Sequence, residues 1–443
     1  MDRSDDELAR PLTARQPART VAVVGAGWSG LAAAVALVKA GHEVTVFEMA
    51  PQAGGRARQV HAAGGEFDNG QHILIGAYAQ TLALMRQVGA DPQALFLRRP
   101  LALRFPDGCG LALPAGAPLL AFARATLRAQ GWRLTQKLSL LRAATGWLRD
   151  GFACASDLTV RQLCRALPQP VLRDLIDPLC VAALNTPAAT ASAQVFLRVL
   201  KDALFAGPGS ADLLLPRVPL SALLPEPACR WLQHAGAHWQ PLHRVQALAP
   251  ATADRPGWRV DEQHFDAVVL ACSAIEAARL VAPHHAAWAR SASGLQQEPI
   301  ITAYLADSAL RLPQPMLALR TGAEAPAQFV FDLGALGRNP GCFAWVVSGA
   351  RESLDAGLAA CGQRILAQAR QVFPGAFAGD PAQIIQHLAA ERRATFACVP
   401  GLDRPGTQIA TGLVAAGDYI AGPYPATLES AVRSGQAAAA ALA

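Results

Sequence analysis

Three glycines, Gly25, Gly27 and Gly30, interrupt the most apolar stretch of the chain, and a carboxylate follows at Glu48. Val21 to Val24 is a short run of the kind that forms a buried parallel strand. Leu31 to Ala40 then reads as a helix closed by Gly41, and Glu43 to Phe47 as a second strand. Glycines in the turn between strand and helix suit the binding of a dinucleotide pyrophosphate. Gly25 makes the tight turn, Gly27 lets the backbone approach the phosphates, and Gly30 lets helix and strand pack closely. Trp28 and Ser29 open the helix, whose free N–H groups carry partial positive charge toward an anion. Glu48, at the end of the second strand, can accept from both ribose hydroxyls.

Two further motifs narrow the dinucleotide. Gly54, Gly55 and Arg56 follow the second strand, and Gly417-Asp418 ends an apolar run from Leu413. A helix beginning near Thr427 and Leu428 comes after that pair. The set resembles flavoproteins of the two-dinucleotide-binding type. That resemblance implies that the Gly doublet passes under the ribityl-pyrophosphate, with Arg56 meeting phosphate charge. Asp418 would accept from a ribityl hydroxyl, and the helix N-terminus would face the flavin pyrimidine oxygen. In the same fold Val245 touches the adenine side by its backbone. The cofactor is read as FAD, held non-covalently, since no Cys or His lies in a recognisable covalent-flavin motif.

These elements must be gathered from both ends of the chain. The expected fold is α/β: a discontinuous Rossmann-type FAD domain from residues 20–75, 210–275 and 398–443, with a mixed α+β substrate domain from 76–209 and 276–397. Residues 1–19 are charged and polar, without the apolar core of a secretory signal, and are expected to be a flexible tail. Strands are expected over Leu242–Leu248, Trp258–Val260, Phe265–Ala271, Ile300–Leu305 and Phe343–Ser348. The apolar run Val21–Val38 approaches bilayer length, but its glycine pattern already has an explanation and excludes a span.

Of the 443 residues, 52% are hydrophobic and 16% charged, so a large core can be buried with apolar surface left over. The net charge of +6 lacks the Lys/Arg runs interleaved with aromatics that nucleic acid requires. An anionic membrane surface is a candidate partner, and ordinary surface charge is the other reading. Nine cysteines without metal-ligand spacing suggest buried thiols in a reducing compartment and no metal site. The protein is therefore expected in the cytoplasm, with the inner face of the cell membrane as its candidate peripheral site.

One segment bears on that choice. Leu120, Leu127, Leu134, Leu141 and Leu148 recur every seventh residue, among Arg124, Arg128, Arg133, Lys137, Arg142 and Arg149, with Trp132 and Trp147 nearby. It reads either as a basic amphipathic surface segment with interfacial tryptophans or as a helix pair packing its leucines inward.

Asp68-Asn69-Gly70-Gln71-His72, Pro178 to Pro187 (through Asn185) and Leu213 to Leu224 are similar to segments of the hydroxysqualene dehydroxylases, also called squalene-associated FAD-dependent desaturases. The stretch after Gly417 also resembles the carotenoid desaturase C-terminal box, within the wider amine oxidase-like superfamily. The resemblance spans nearly everything after residue 20. It implies reductive removal of the hydroxyl of hydroxysqualene in hopanoid or related triterpene synthesis, with a long apolar isoprenoid substrate. No second dinucleotide motif for a nicotinamide is visible, so an external electron donor is expected. His72 is the first candidate for the acid that releases the hydroxyl, with Asp68 and Tyr78 in support and Asn185 as a bond to the leaving oxygen. The rival readings are a phytoene-type desaturase, an amine oxidase-like enzyme, and a non-enzymatic prenyl-lipid carrier of the Rab GDP-dissociation inhibitor type.

Overall fold

The computed structural model describes residues 17–62 and 65–442; the expected tail lies outside them except for 17–19. The chain lays down β1 (Thr20–Val24), β2 (Glu43–Phe47), β3 (His238–Gln240) and β4 (Ala267–Leu270) in one sheet. It then builds β5 (Gln297–Ala306), β6 (Met316–Ala318), β7 (Phe329–Asp332), β8 (Cys342–Val347) and β9 (Ile385–Phe396) in a second. It returns to the first sheet with β10 (Gln408–Ala410) and β11 (Leu413–Ala415).

The first sheet has the order β3-β2-β1-β4-β11-β10, parallel except for its last pair. Val21 to Val24 and Ala267 to Leu270 are almost completely buried, as strands covered on both faces must be. Between β1 and β2 runs α1 (Trp28–Ala40), closed by Gly41 in the left-handed conformation at φ 92°. The apolar run Val21–Val38 is thus a strand, a turn and a helix. Among the described residues no helix is long and apolar enough to cross a membrane.

The second sheet, β6-β7-β8-β5-β9, is antiparallel throughout. One face packs a core around Trp345, Phe343 and Ile365. Residues of the other face, Tyr304 and Phe329 among them, join the core beneath the long helical insertion between residues 76 and 209. That insertion contains α2 (Ala79–Gln87), α3 (Pro118–Arg128), α4 (Leu134–Arg149) and α5 (Ala193–Phe205). A π-helical turn at Leu172–Ile176 precedes the helix Asp177–Leu184. The last helix is α6 (Leu428–Ala440), capped by the Thr427 hydroxyl. It lies against α1, where a Cβ at Gly435 would collide with the Ser29 carbonyl.

Two expectations need correction. Leu242 to Ala247 is not a strand; only Leu248–Pro250 is. Leu242 adopts φ 56°, and Asp261 Oδ1 accepts the N–H groups of Gln246 and Ala247, both at 2.9 Å, so a side chain replaces the ladder partner. The domain boundary at 275 also moves, to about residue 295. Arg279 donates to the Val245 carbonyl at 2.7 Å, and Trp288 Nε1 donates to the Gly406 carbonyl at 2.8 Å. The helices Ala274–Val281 and Ala286–Ser293 therefore belong with the first sheet.

Candidate active site

The cradle at the start of α1 is open. A Cβ built on Gly27 would meet only the Gly55 Cα, at 3.9 Å, so the space above this turn is bounded by the Gly doublet and by little else. Gly27 caps α1 without a side-chain bond, and no acid lies in the first turn around Trp28, Ser29 and Gly30. Those N–H groups remain available to an anion. Gly25 holds φ 105°, and a Cβ there would come within 2.8 Å of the Ala271 carbonyl oxygen.

Glu48 is buried at the end of β2, where its Oε2 accepts from Ala26 N at 2.7 Å and its Oε1 from Ala50 N at 2.8 Å. These bonds aim the carboxylate at the turn while leaving lone pairs for a diol. Val245 is buried, and its N–H finds no acceptor among the described residues. Farther along, Gly54 pairs with Gly27 as an isolated bridge, and Arg56 Nη2 donates to Asp418 Oδ1 at 2.6 Å. The neighbouring Tyr419 hydroxyl is buried without a protein partner among the described residues. Open glycine backbone, an uncapped helix, a fixed diol acceptor and unpartnered buried polar groups fit FAD laid from Glu48 to Asp418.

Beyond the cradle lies an apolar cavity of about 300 Å³, within the range of small-ligand sites. Leucines of α3, α4 and α5 form much of its wall, and the π-helical turn directs Leu175 and Ile176 into it. Its polar lining is confined to Tyr78, Thr145, Asp202, Tyr424, Thr427 and Glu429. Thr427 is both the cap of α6 and a piece of this wall, so the cavity reaches the helix end expected to face the flavin. Leu428 begins the helix immediately behind it.

The four candidate catalytic residues separate. Tyr78 is on the cavity wall and caps α2. Burial pushes its phenol well above the usual range, against a contact with Thr427, so it keeps its proton. His72 lies outside the wall, although Ile73 and Ile75 line it. Its Nδ1 is 2.9 Å from the Gly70 carbonyl, and burial holds its pKa below the ordinary value despite that bond and the Asp68 charge. A neutral ring facing a carbonyl carries its proton on Nδ1, leaving Nε2 as an acceptor. In this state His72 is a poor acid.

Asp68 is fully buried and committed elsewhere. Arg338 Nη2 lies 2.7 Å from its Oδ2, and Leu220 N donates to its Oδ1 at 3.0 Å. Its influence on His72 is through charge alone. Asn185 donates to the Glu298 carbonyl and to Thr395 Oγ1, and its Oδ1 accepts from Gly349 N at 2.7 Å. It lies off the cavity wall, so the expected bond to a leaving oxygen is replaced by a joint between the helical insertion and the second sheet.

Sequence reasoning missed the groups that finish the polar lining. Glu429, nearly inaccessible, accepts from Gln80 N, Thr81 N, Thr81 Oγ1 and Arg433 Nε. It ties the start of α6 to the start of α2, and so fixes Thr427 beside Tyr78. Tyr424 donates to Asp202 Oδ2 at 2.6 Å and accepts from Arg198 at 3.0 Å. The i, i+4 spacing of Glu429 and Arg433 was a usable signal; the Asp202–Tyr424 pair, 222 residues apart, had none.

Among known proteins, the sequence profile of the flavin containing amine oxidoreductases matches residues 28–443. The hydroxysqualene dehydroxylase of Rhodopseudomonas palustris is 30% identical over 95% of this chain and 97% of its own length. That of Sinorhizobium fredii is 30% identical with the same coverage. An oxidoreductase from Methanosarcina mazei, at 17% identity, superimposes with a TM-score of 0.73 over 94% of this chain and 99% of its own, a likeness of fold alone. An open dinucleotide cradle, the Arg56–Asp418 pair at its far end and whole-length kinship together place the chain: it belongs to the hydroxysqualene dehydroxylase family within the flavin containing amine oxidoreductases, and it is an FAD-dependent oxidoreductase.

Proposed function

We propose that the protein removes the hydroxyl of hydroxysqualene reductively to give squalene, drawing electrons from an external donor. The observation that carries this reading is the cavity, apolar along most of its wall and polar beside Tyr78 and Thr427. A triterpene alcohol has the same division, a long hydrocarbon with one hydroxyl. The relatives that match across the whole chain bear that reaction in their names.

Replacing C–OH by C–H requires a proton, so that the oxygen departs as water, and a hydride to complete the carbon. Bound FAD in its reduced form supplies the hydride. The chain supplies the rest. Leucine and alanine side chains hold the hydrocarbon and exclude bulk water, which strengthens every polar interaction inside. Tyr78, kept protonated by burial, presents an O–H to the departing oxygen. Thr427, held by the Glu429 brace, can accept from the substrate hydroxyl and orient it. An allylic hydroxyl suits this weak donor because the cation left behind is delocalised.

The test is anaerobic incubation of the flavin-reduced protein with hydroxysqualene, with phytoene and the oxidised protein in parallel. Squalene from the first pair supports the reading. Desaturated phytoene from the second, without squalene from the first, overturns it.

A further inference from the structure

The paired helices α3 and α4 have an outer face that fits neither a buried nor an ordinary polar surface. Nine large apolar side chains are exposed among the described residues, and six of them are Leu119, Leu120, Leu127, Leu134, Leu138 and Leu148 on these two helices. Leu120 and Leu134 are 59% and 64% exposed. The seventh-residue leucines are therefore exposed rather than packed inward, apart from the half-buried Leu141; Leu141 and Leu148 are the two that reach the cavity wall. The tryptophans do the reverse of what an interfacial segment predicts: Trp132 is buried, and Trp147 lines the cavity.

Every charged side chain within the two helices, residues 118–149, is positive, and Asp150 follows at their end. Arg124, Arg128, Arg133 and Arg142 are exposed and pair with no carboxylate among the described residues; Arg149 meets Asp150 at 3.3 Å. Lys137 is occupied in donating to the Leu127 carbonyl at 2.9 Å, which ties the two helices together.

We infer that this face docks on an anionic lipid bilayer, with the leucines in the acyl boundary and the arginines at the headgroups. Two observations choose this occupant over a second copy of the chain. Self-pairing of the face would set its arginines against one another, whereas anionic headgroups neutralise them. The same helices also wall the cavity on their inner side, and Leu119 and Leu148 are both exposed and part of that wall. The cavity thus opens onto the docking face, and an apolar substrate could pass from bilayer to site without crossing water. The passage rests on the substrate proposed above; the docking does not.

The experiment is co-sedimentation of the full-length FAD-loaded protein, without substrate, with vesicles of phosphatidylcholine alone or mixed with phosphatidylglycerol. Two variants accompany it, Arg124→Gln/Arg128→Gln/Arg142→Gln/Arg149→Gln and Leu120→Ser/Leu127→Ser/Leu134→Ser/Leu138→Ser. None of these positions lines the cavity or the cradle. The wild type is expected to prefer the anionic vesicles, and the arginine variant to lose binding about tenfold or more. The leucine variant is expected to lose binding to the mixed vesicles as well. Flavin absorbance and melting are read alongside; if the leucine variant fails to fold, the arginine variant decides. Equal binding by wild type and arginine variant overturns the inference. So does wild-type binding indifferent to phosphatidylglycerol, or a wild-type dimer abolished by the leucine substitutions with no vesicle binding. Each of these outcomes leaves the proposed reaction standing, because no turnover is measured.

Discussion

Arg56 and Asp418 lie 362 residues apart in the chain and 2.6 Å apart in space. Arg56 also donates to the Ala394 carbonyl of β9 at 2.6 Å. One guanidinium therefore joins the Gly-doublet loop, the C-terminal strand end and the second sheet at the place where the flavin ribityl would lie. Asp418→Asn is expected to leave Arg56 without its counter-charge and to lower flavin retention. The loss should amount to about 1–3 kcal/mol of binding, read as a rise in the Kd of the reconstituted apoprotein. Full flavin occupancy with unchanged Kd would remove Asp418 from the cofactor site.

Glu48→Ala removes the acceptor for two backbone N–H groups as well as the ribose acceptor. FAD binding should weaken by about 1–3 kcal/mol, with a lower melting temperature for the apoprotein too. Gly27→Val should lose flavin more completely, because its side chain would occupy the open space above the turn. The check is the ratio of flavin to protein absorbance after purification.

Ala183 lies on the cavity wall, half-buried at the end of a helix. Ala183→Phe is expected to occupy cavity volume and lower kcat/KM for a triterpene alcohol by about tenfold or more, with flavin content unchanged. Equal loss of flavin would mean that cavity and cradle are not separate.

Tyr78→Phe deletes the proton that the cavity wall offers, and His72→Gln deletes a ring that structure places behind the wall. The first is expected to lower kcat by about 10²-fold or more, the second by less. The reverse order would return the acid's role to His72.

His72 also has a consequence for stability. Its folded pKa is held below the ordinary 6.5 by burial. Between those two values the unfolded chain binds a proton that the folded chain refuses, so stability falls as pH drops through this window. His42 and His387 are shifted the same way by burial. Urea midpoints measured downward from pH 7 should decline, and His72→Gln should make the decline shallower. An unchanged slope would mean that the imidazole is not desolvated.

The cofactor cradle was legible because its residues are close in sequence and each glycine has a steric duty. Gly25 and Gly30 stand where a Cβ would strike backbone, Gly27 borders the open space above the turn, and Glu48 follows within one strand–helix–strand unit. The catalytic candidates were less legible. Asp68 and His72 sit in a motif-like string, yet the partner that commits Asp68 is Arg338, far along the chain, and no local pattern reveals it. Asn185 looked reactive for want of knowing Glu298, Thr395 and Gly349. The leucine repeat of residues 120–148 set the helices correctly but not their orientation, because a seven-residue period serves an inward and an outward stripe equally. The run from Leu242 read as a strand because Asp261, which captures its N–H groups, lies beyond the next strand.

The most direct measurement is a single anaerobic turnover. The protein is reduced to its colourless flavin form, mixed with hydroxysqualene, and followed by absorbance while the lipid is extracted. Squalene should appear in step with reoxidation of the flavin, one for one. Flavin that stays reduced with hydroxysqualene recovered intact would contradict the proposed reaction.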